Sequence, residues 1–206
     1  MGKIGCLLYM FVSLSCLHLT FCKNYLVETK QFVPTCIIGV DKLENSEAQY
    51  QTSLQWTKGQ HLEKWKMSEW DTILDPNSPV LVSRGIVMMK GASIRHATIS
   101  YETTVLLPDI LKKIIDVHLP IKIQKELFIV NKQLKVYVKI ENVPIISHLY
   151  ITNMIDISNP KLIVSSHFIA HGPIPWFAKW AIKLLKDQIL KSVDEFDVLY
   201  FKNLCP

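Results

Sequence analysis

The sequence predicts an α+β fold, in which a curved antiparallel sheet of about seven strands wraps around a long C-terminal amphipathic helix. Two patterns indicate this class. Strand-like segments follow one another with short connections through most of the chain. The stretch from Gly172 to Tyr200 then runs for about twenty residues after Pro175 without Gly or Pro, and its apolar residues recur every three to four positions.

The N-terminus has the three parts of a secretory signal peptide, which we place at residues 1–22. Lys3 supplies a positive charge, residues 4–21 carry no charge, and small residues precede a cut before Lys23. The apolar stretch is also close to the shortest length that spans a bilayer. We therefore expect a secreted protein, and the alternative is one anchored in a membrane by residues 4–21.

Cysteine usage agrees with secretion. Removing residues 1–22 takes away three of the five cysteines and leaves Cys36 and Cys205 near opposite ends of the mature chain. In an oxidising compartment these two can form a disulfide, and the alternative is two free thiols. Closing so long a loop would stabilise the fold by roughly 4–5 kcal/mol in the chain-entropy model.

The charge pattern argues against a nucleic-acid surface. The net charge is +5, and the basic residues are scattered lysines without an Arg-rich run or interleaved aromatic residues. We therefore expect no nucleic-acid partner. Weak attraction to an anionic membrane surface is the more natural consequence of this charge.

We divide the mature chain into an irregular N-terminal arm (23–46), a single domain (47–200) and a C-terminal tail (201–206). The domain opens with alternating polar and apolar residues from Tyr50 to Trp56, which predict a strand with one wet face. A roughly helical pattern follows from His61 to Leu74. Its end is marked by a Pro- and Asn-rich turn.

The second half of the domain carries most of the predicted strands. The cleanest alternation runs from Ala97 to Leu107, and a short helix is predicted from Pro108 to Val117. The other predicted strands are Val80 to Met89, Ile121 to Val130, Gln133 to Glu141, His148 to Ile157 and Lys161 to Ala170.

This order of elements resembles the helix-grip fold of the START and polyketide-cyclase-like superfamily, from roughly Glu47 to Phe196. The most specific part is the ending, where Ser165-Ser166-His167-Phe168 leads into Gly172-Pro173-Ile174-Pro175-Trp176 and the amphipathic helix. The pair Trp70-Asp71 is also similar to START-domain sequences. In that superfamily a strand and two small helices precede six antiparallel strands and a final long helix.

The resemblance implies a cavity between sheet and helix that takes a lipid, a sterol or another apolar ligand. It implies no shared catalytic set. We expect the ligand to contact apolar and aromatic side chains on the covered face of the sheet and on the helix: Ile99, Tyr101, Val136, Val138, Ile151, Val164, Phe168, Trp176, Trp180 and Leu184.

Motifs for other chemistry are missing from the sequence. No histidine pair has metal-ligand spacing, no Cys-x-x-Cys occurs, and the seven glycines form no phosphate-binding loop. Ser165-Ser166-His167 lies in a predicted strand, where neighbouring side chains point to opposite faces, so it does not form a nucleophile with its base. We therefore expect no metal, no cofactor and no enzymatic activity.

Two hypotheses about function follow. The first is a secreted carrier that holds an apolar ligand beneath the C-terminal helix. The second is a membrane-associated interaction protein with a solid core, in which the N-terminal segment is kept as an anchor and the lysines of the last helix contact anionic lipid. A tubular secreted lipid-binding fold is a rival to the first, but it requires a second long helix that the sequence lacks.

Overall fold

Eight strands among the described residues form one antiparallel sheet, in the order β1-β8-β7-β6-β5-β4-β2, with β3 also pairing with β4. Their bounds are β1 Lys23–Phe32, β2 Glu63–Met67, β3 Asp71–Ile73, β4 Ile94–Thr104, β5 Pro120–Val130, β6 Gln133–Glu141, β7 His148–Asp156 and β8 Leu162–His171. The structure is a computed structural model, and it describes residues 23–57, 62–104, 120–142, 148–157, 162–171, 191 and 195–206. The curved antiparallel sheet and a C-terminal helix confirm the predicted α+β class.

The first strand pairs with the last one. β1 runs antiparallel to β8, from the pair Lys23 and Ala170 to the pair Phe32 and Leu162, with an irregularity between Leu26 and Thr29. The prediction of an irregular arm was therefore wrong for these ten residues. The ladder partner that makes them a strand lies far away in the sequence, where a local pattern cannot reveal it.

Two helices follow β1: α1 (Val40–Leu43) and α2 (Ser46–Trp56). The prediction of a strand from Tyr50 to Trp56 was wrong. Asn45 caps α2, since its side chain accepts a hydrogen bond from the backbone N–H of Ala48 at 3.1 Å. The buried positions of α2 follow helical spacing and are small or polar, which hid the helix from a search for apolar residues: Ala48, Gln49, Thr52 and Ser53.

Residues 61–74 are not helical in their described part. β2 and β3 both pair antiparallel with β4 and form one edge of the sheet. Helix α3 (Pro79–Ser83) begins with proline in its first turn and is followed by Gly85 at a φ of 60°, which ends it. The predicted strand from Val80 to Met89 was wrong, because its apolar run packs as a short helix and an irregular segment.

The five strands from β4 to β8 confirm five of the predicted strands. Their bounds differ from the predicted ones by a few residues, and each strand pairs with the next. β5 and β6 are joined by Asn131 and Lys132 at φ values of 49° and 62°, the left-handed conformation that a tight two-residue hairpin needs. The predicted helix from Pro108 to Val117 lies outside the described residues.

The sheet has two covered faces. Its inner face carries Ala97, Ile99 and Tyr101 of β4, and it packs against α1, α2 and the C-terminal helix α4 (195–204). Its outer face is covered in part by α3 and the segment after it. The outer core consists of Leu81, Ile86, Ile94, Phe128 and Val130.

Helix α4 continues past the predicted end at Tyr200 as far as residue 204. Residue 191 is also helical, and the rest of the long helix predicted from Gly172 lies outside the described residues. Directly after α4, Cys205 forms a disulfide with Cys36, with Cα atoms 5.6 Å apart. The predicted pairing is confirmed. The predicted signal peptide lies outside the described residues.

Candidate functional site

The predicted ligand-lining residues of β4, β6 and β7 fall on the inner face of the sheet. Ile99, Val138 and Ile151 lie in one cross-strand row, which the register extends to Phe168 of β8. The fifth member of the row is a residue that was not predicted, Lys125 of β5, between Ile99 and Val138.

Some of the other predicted lining residues lie in described strands, and three do not. Tyr101 and Val136 lie two positions along β4 and β6 from the row, and therefore on the same face. Val164 is in register with Ile155, a buried inner-face residue of β7. Three predicted residues lie outside the described residues: Trp176, Trp180 and Leu184.

Lys125 is a lysine buried in the centre of the apolar face. It is 5% exposed, and its Nζ lies 3.6 Å from the ring centroid of Phe196 on α4 and 5.4 Å from that of Tyr101. Cations are attracted to the faces of aromatic rings, so the two rings partly replace the water that the ammonium has lost. The side chain is thus held between sheet and helix.

Burial lowers the pKa of Lys125 to about 7, since removing the ammonium group from water disfavours its charged form. The negative charge of Asp197 opposes this shift. Asp197 follows Phe196 on α4 and is itself 4% exposed. The inner face therefore contains two buried groups of opposite charge, one from the sheet and one from the helix.

Asn153 of β7 completes the polar cluster. Its Nδ2 donates a hydrogen bond to Oδ1 of Asp197 at 3.5 Å. Its own Oδ1 is buried and finds no hydrogen-bond partner in the described part of the chain. We name Lys125, Asn153 and Asp197 the polar cluster; it contributes a cation, an anion and an open acceptor.

Two hydroxyl groups of β4 on the same face are also unsatisfied. Tyr101 Oη and Thr103 Oγ1 are buried and have no partner with hydrogen-bond geometry among the described residues. Burial raises the pKa of the Tyr101 phenol, although the nearby Ser53 hydroxyl opposes the shift. Ser53 itself donates to the carbonyl of Gln49 at 2.9 Å. Buried polar groups without partners are rare in folded proteins, and here several lie on one face.

Helices α1 and α2 close the inner face beside β4. The hydroxyl of Tyr200 on α4 donates to the carbonyl of Leu43 at 3.3 Å. Asn203 donates to the hydroxyl of Thr52 at 3.0 Å. Thr52 donates onward to the carbonyl of Ala48 at 2.6 Å. These bonds join α4 to both N-terminal helices and keep the region around Tyr101 away from solvent.

Lys125 was missed because the sequence was searched for apolar lining residues. The signal was nevertheless present. Lys125 occurs in phase with the inner-face residues of its strand, which are buried: Ile121, Ile123, Leu127 and Ile129. A charged residue in the buried phase of an otherwise clean alternation indicates a paired or functional group.

A depression of about 320 Å³ lies on the outer face between Arg84 and the tyrosines Tyr137 and Tyr150. The guanidinium of Arg84 donates to both carboxylate oxygens of Glu126, at 2.6 and 2.8 Å. These bonds lower the pKa of the Glu126 carboxyl. The positive charge of Arg84 is thus already paired with the Glu126 carboxylate. We therefore propose no anionic ligand for this depression.

Comparison with known proteins gives no identity: the sequence matches no family model and no curated protein. No group of three or more His, Cys, Asp or Glu residues in the described ranges is arranged to hold a metal ion. Among the described helices, none is long and apolar enough to cross a bilayer.

Proposed function

We propose that this protein is a non-catalytic carrier that binds an apolar ligand between the inner face of its sheet and the C-terminal helix. The observation that carries the proposal is the cross-strand row of Ile99, Val138 and Ile151. These side chains lie on the face that packs against α4, and Ile99 and Val138 flank Lys125 in the row. A core that served stability alone would gain nothing from a buried lysine at its centre.

We further propose a helix-grip fold of the START-like type. Apart from the short helix α3 between β3 and β4, the described elements run from a strand through two helices and antiparallel strands to a C-terminal helix, which supports the order that the resemblance implies. The first strand and the two helices of that order correspond to β1, α1 and α2. The similarity would then begin at Lys23 rather than at Glu47.

Secretion is part of the proposal. The disulfide between Cys36 and Cys205 supports an oxidising compartment, as does the signal-like composition of residues 1–22. The ligand would be a lipid or another apolar small molecule that the carrier protects from water. Each buried CH₂ group of the ligand would contribute about 0.8 kcal/mol.

Native mass spectrometry of the protein secreted from a eukaryotic culture tests this function. We expect a mature N-terminus at Lys23 and a population that is heavier by one apolar molecule, which organic extraction removes. The thermal stability of the protein should fall after extraction and recover when the extract is returned. A secreted protein that carries no ligand, and whose stability extraction leaves unchanged, would contradict the proposal.

Two variants with the same added side chain make the test specific. Val138→Phe fills the inner face beside Lys125 and should reduce the bound mass. Lys139→Phe adds the same ring to the opposite face of β6, since neighbouring strand residues face opposite ways, and should leave it unchanged. Equal loss in both variants would place the ligand elsewhere.

A second candidate is the membrane-associated interaction protein, and one observation favours it. Several large apolar side chains are 62–91% exposed, among them Leu74 directly after β3 and Val87 and Met89 in the segment before β4. Exposed apolar side chains that lie together are typical of a surface that contacts a membrane or another protein. A protein recovered in membranes, with residues 1–22 retained and no bound ligand, would support this candidate over the carrier.

A further inference from the structure

We propose that external thiols open the disulfide preferentially at one sulfur: the thiol joins Cys205, and Cys36 leaves as a thiolate that Lys42 stabilises. Cys205 is then a site of modification by small thiols, and Cys36 is the group that closes the bond again. The inference does not depend on the carrier function. Glutathione is the probe for this class of reagent.

The difference between the two sulfurs comes from one lysine. The Nζ of Lys42 donates a hydrogen bond to Sγ of Cys36 at 3.0 Å, and no described residue donates to Sγ of Cys205. An ammonium group at this distance stabilises a thiolate, so it lowers the pKa of the thiol. Cys36 is therefore the better leaving group, because in thiol–disulfide exchange a thiol of lower pKa leaves faster.

The C-terminal end of α4 does not reverse this order. Sγ of Cys36 lies 3.9 Å from the carbonyl oxygen of Leu204, and the negative end of a helix disfavours a thiolate. That oxygen carries only a partial charge and is farther away than the full charge of Lys42. Cys205 directly follows α4, so the same helix end acts on it without a lysine to offset the effect.

The other charged residues of the neighbouring helices make no such contact. Asp41 precedes Lys42 on α1, Lys202 lies on α4, and neither forms a hydrogen bond or an ion pair with another described residue. Glu44, directly after α1, accepts hydrogen bonds from Arg95 at 2.8 and 3.1 Å. Lys42 is thus the charged group that distinguishes the two sulfurs.

The contact between Lys42 and Cys36 does not require the disulfide, because their segment is anchored separately. Ile38 lies between them and Leu43 follows them, and these two side chains are buried in the inner core. The carbonyl of Leu43 also accepts a hydrogen bond from Tyr200 at 3.3 Å. We therefore expect Cys36 to stay beside Lys42 after the bond to Cys205 has opened.

The exchange reaction is balanced without a further reagent. The external thiol loses its proton to solvent, and its sulfur forms a bond with Sγ of Cys205. The bond between the two cysteines breaks, and its electron pair goes to Cys36, which leaves as a thiolate. The sulfur of Cys36 is reduced, and that of the external thiol is oxidised. Both cysteines are only partly buried, so a small thiol can reach them.

A short pulse of glutathione on the folded, disulfide-bonded protein tests the direction of attack. Excess N-ethylmaleimide ends the pulse, and peptide mass spectrometry locates each modification. We expect glutathione on Cys205 and maleimide on Cys36. The same pulse in concentrated urea should modify the two cysteines about equally, because unfolding removes the contact with Lys42. Glutathione chiefly on Cys36, an equal split in the folded protein, or a bond that glutathione does not open would overturn the proposal.

Variants of Lys42 show whether its charge sets the direction. Lys42→Met should abolish the preference for Cys205, and Lys42→Arg, which keeps the positive charge, should retain it. Lys90→Met makes the same change of charge in the exposed turn before β4 and is the matched control. A preference that persists in Lys42→Met would contradict the proposed role of this lysine.

The pKa of the free Cys36 thiol provides a second readout. It is obtained from the rate of iodoacetamide alkylation against pH in the variant Cys205→Ala, whose folding is checked by cooperative thermal unfolding. We expect a pKa at least about one unit below the ordinary cysteine value of about 8.5, and a return towards that value when Lys42→Met is added. An ordinary pKa in the folded variant would count against the proposal. If this variant does not fold, the pulse on the wild-type protein still decides.

Discussion

Lys125 connects the pH of the solution to the stability of the inner face. Its pKa is lowered from 10.5 to about 7, chiefly by burial. Between these two pH values the unfolded chain binds a proton that the folded chain has released. Raising the pH through this window therefore stabilises the folded state, and below about pH 7 the fold carries the full cost of the buried charge.

The substitution Lys125→Met measures this cost, because methionine fills a similar volume without a charge. We expect the ligand-free variant to be more stable than the wild type by a few kcal/mol at neutral pH, since each pKa unit corresponds to about 1.4 kcal/mol. The difference should shrink towards pH 10.5, the ordinary lysine value. Urea unfolding across this pH range provides the comparison, and a pH-independent difference would contradict the lowered pKa.

Only the apolar part of the candidate site could be predicted from the sequence, and the reason concerns individual residues. Apolar members such as Ile99 and Ile151 were predicted because alternation assigns each strand residue to a face. Asp197 and Asn153 are polar residues whose approach depends on how α4 crosses the sheet. The periodicity of a single strand or helix does not show how close residues of two different elements come in the fold.

At the scale of elements, the β5–β6 hairpin offers a direct test of local backbone geometry. Lys132 adopts a φ of 62°, a conformation that costs a residue with a Cβ atom about 1 kcal/mol and costs glycine nothing. Lys132→Gly should therefore stabilise the protein by about 0.5 kcal/mol, after subtraction of the larger entropy of the unfolded glycine chain.

Thermal and urea unfolding measure this gain. Lys135→Gly is the matched control, because it makes the same change inside β6 and should destabilise the protein by about 0.5–1 kcal/mol. If both variants lose stability, the turn does not hold its left-handed conformation in solution.

Elements differed in how well the sequence predicted them. β4 to β7 were predicted because each has residues on one face that are buried in the same core, which produces alternation along the strand. Helix α2 was predicted as a strand, because its buried face consists of Ala48, Gln49, Thr52 and Ser53, and these residues carry no apolar signal. β1 was missed because its partner β8 is remote.

For the whole molecule, the disulfide is the largest single constraint on the unfolded chain. Cys36 and Cys205 are 169 residues apart, so their bond removes much of the conformational freedom of the unfolded state. Replacing both with alanine should lower the free energy of unfolding by roughly 4–5 kcal/mol in the chain-entropy model.

Urea unfolding of the double variant checks this value. The slope of stability against urea should also rise, because an open unfolded chain exposes more surface than a cross-linked one. Reduced wild-type protein is the control and should behave like the variant. A loss below about 1 kcal/mol would show that the bond constrains the ends little.

The pairing of β1 with β8 has a consequence for biosynthesis. On the ribosome β1 is made first, yet the strand that completes its ladder is made only after β4, β5, β6 and β7. Until then β1 has no native neighbour, and its open backbone groups are a template for pairing with other chains. We therefore expect a pause in translation before β8 to favour aggregation of the nascent protein.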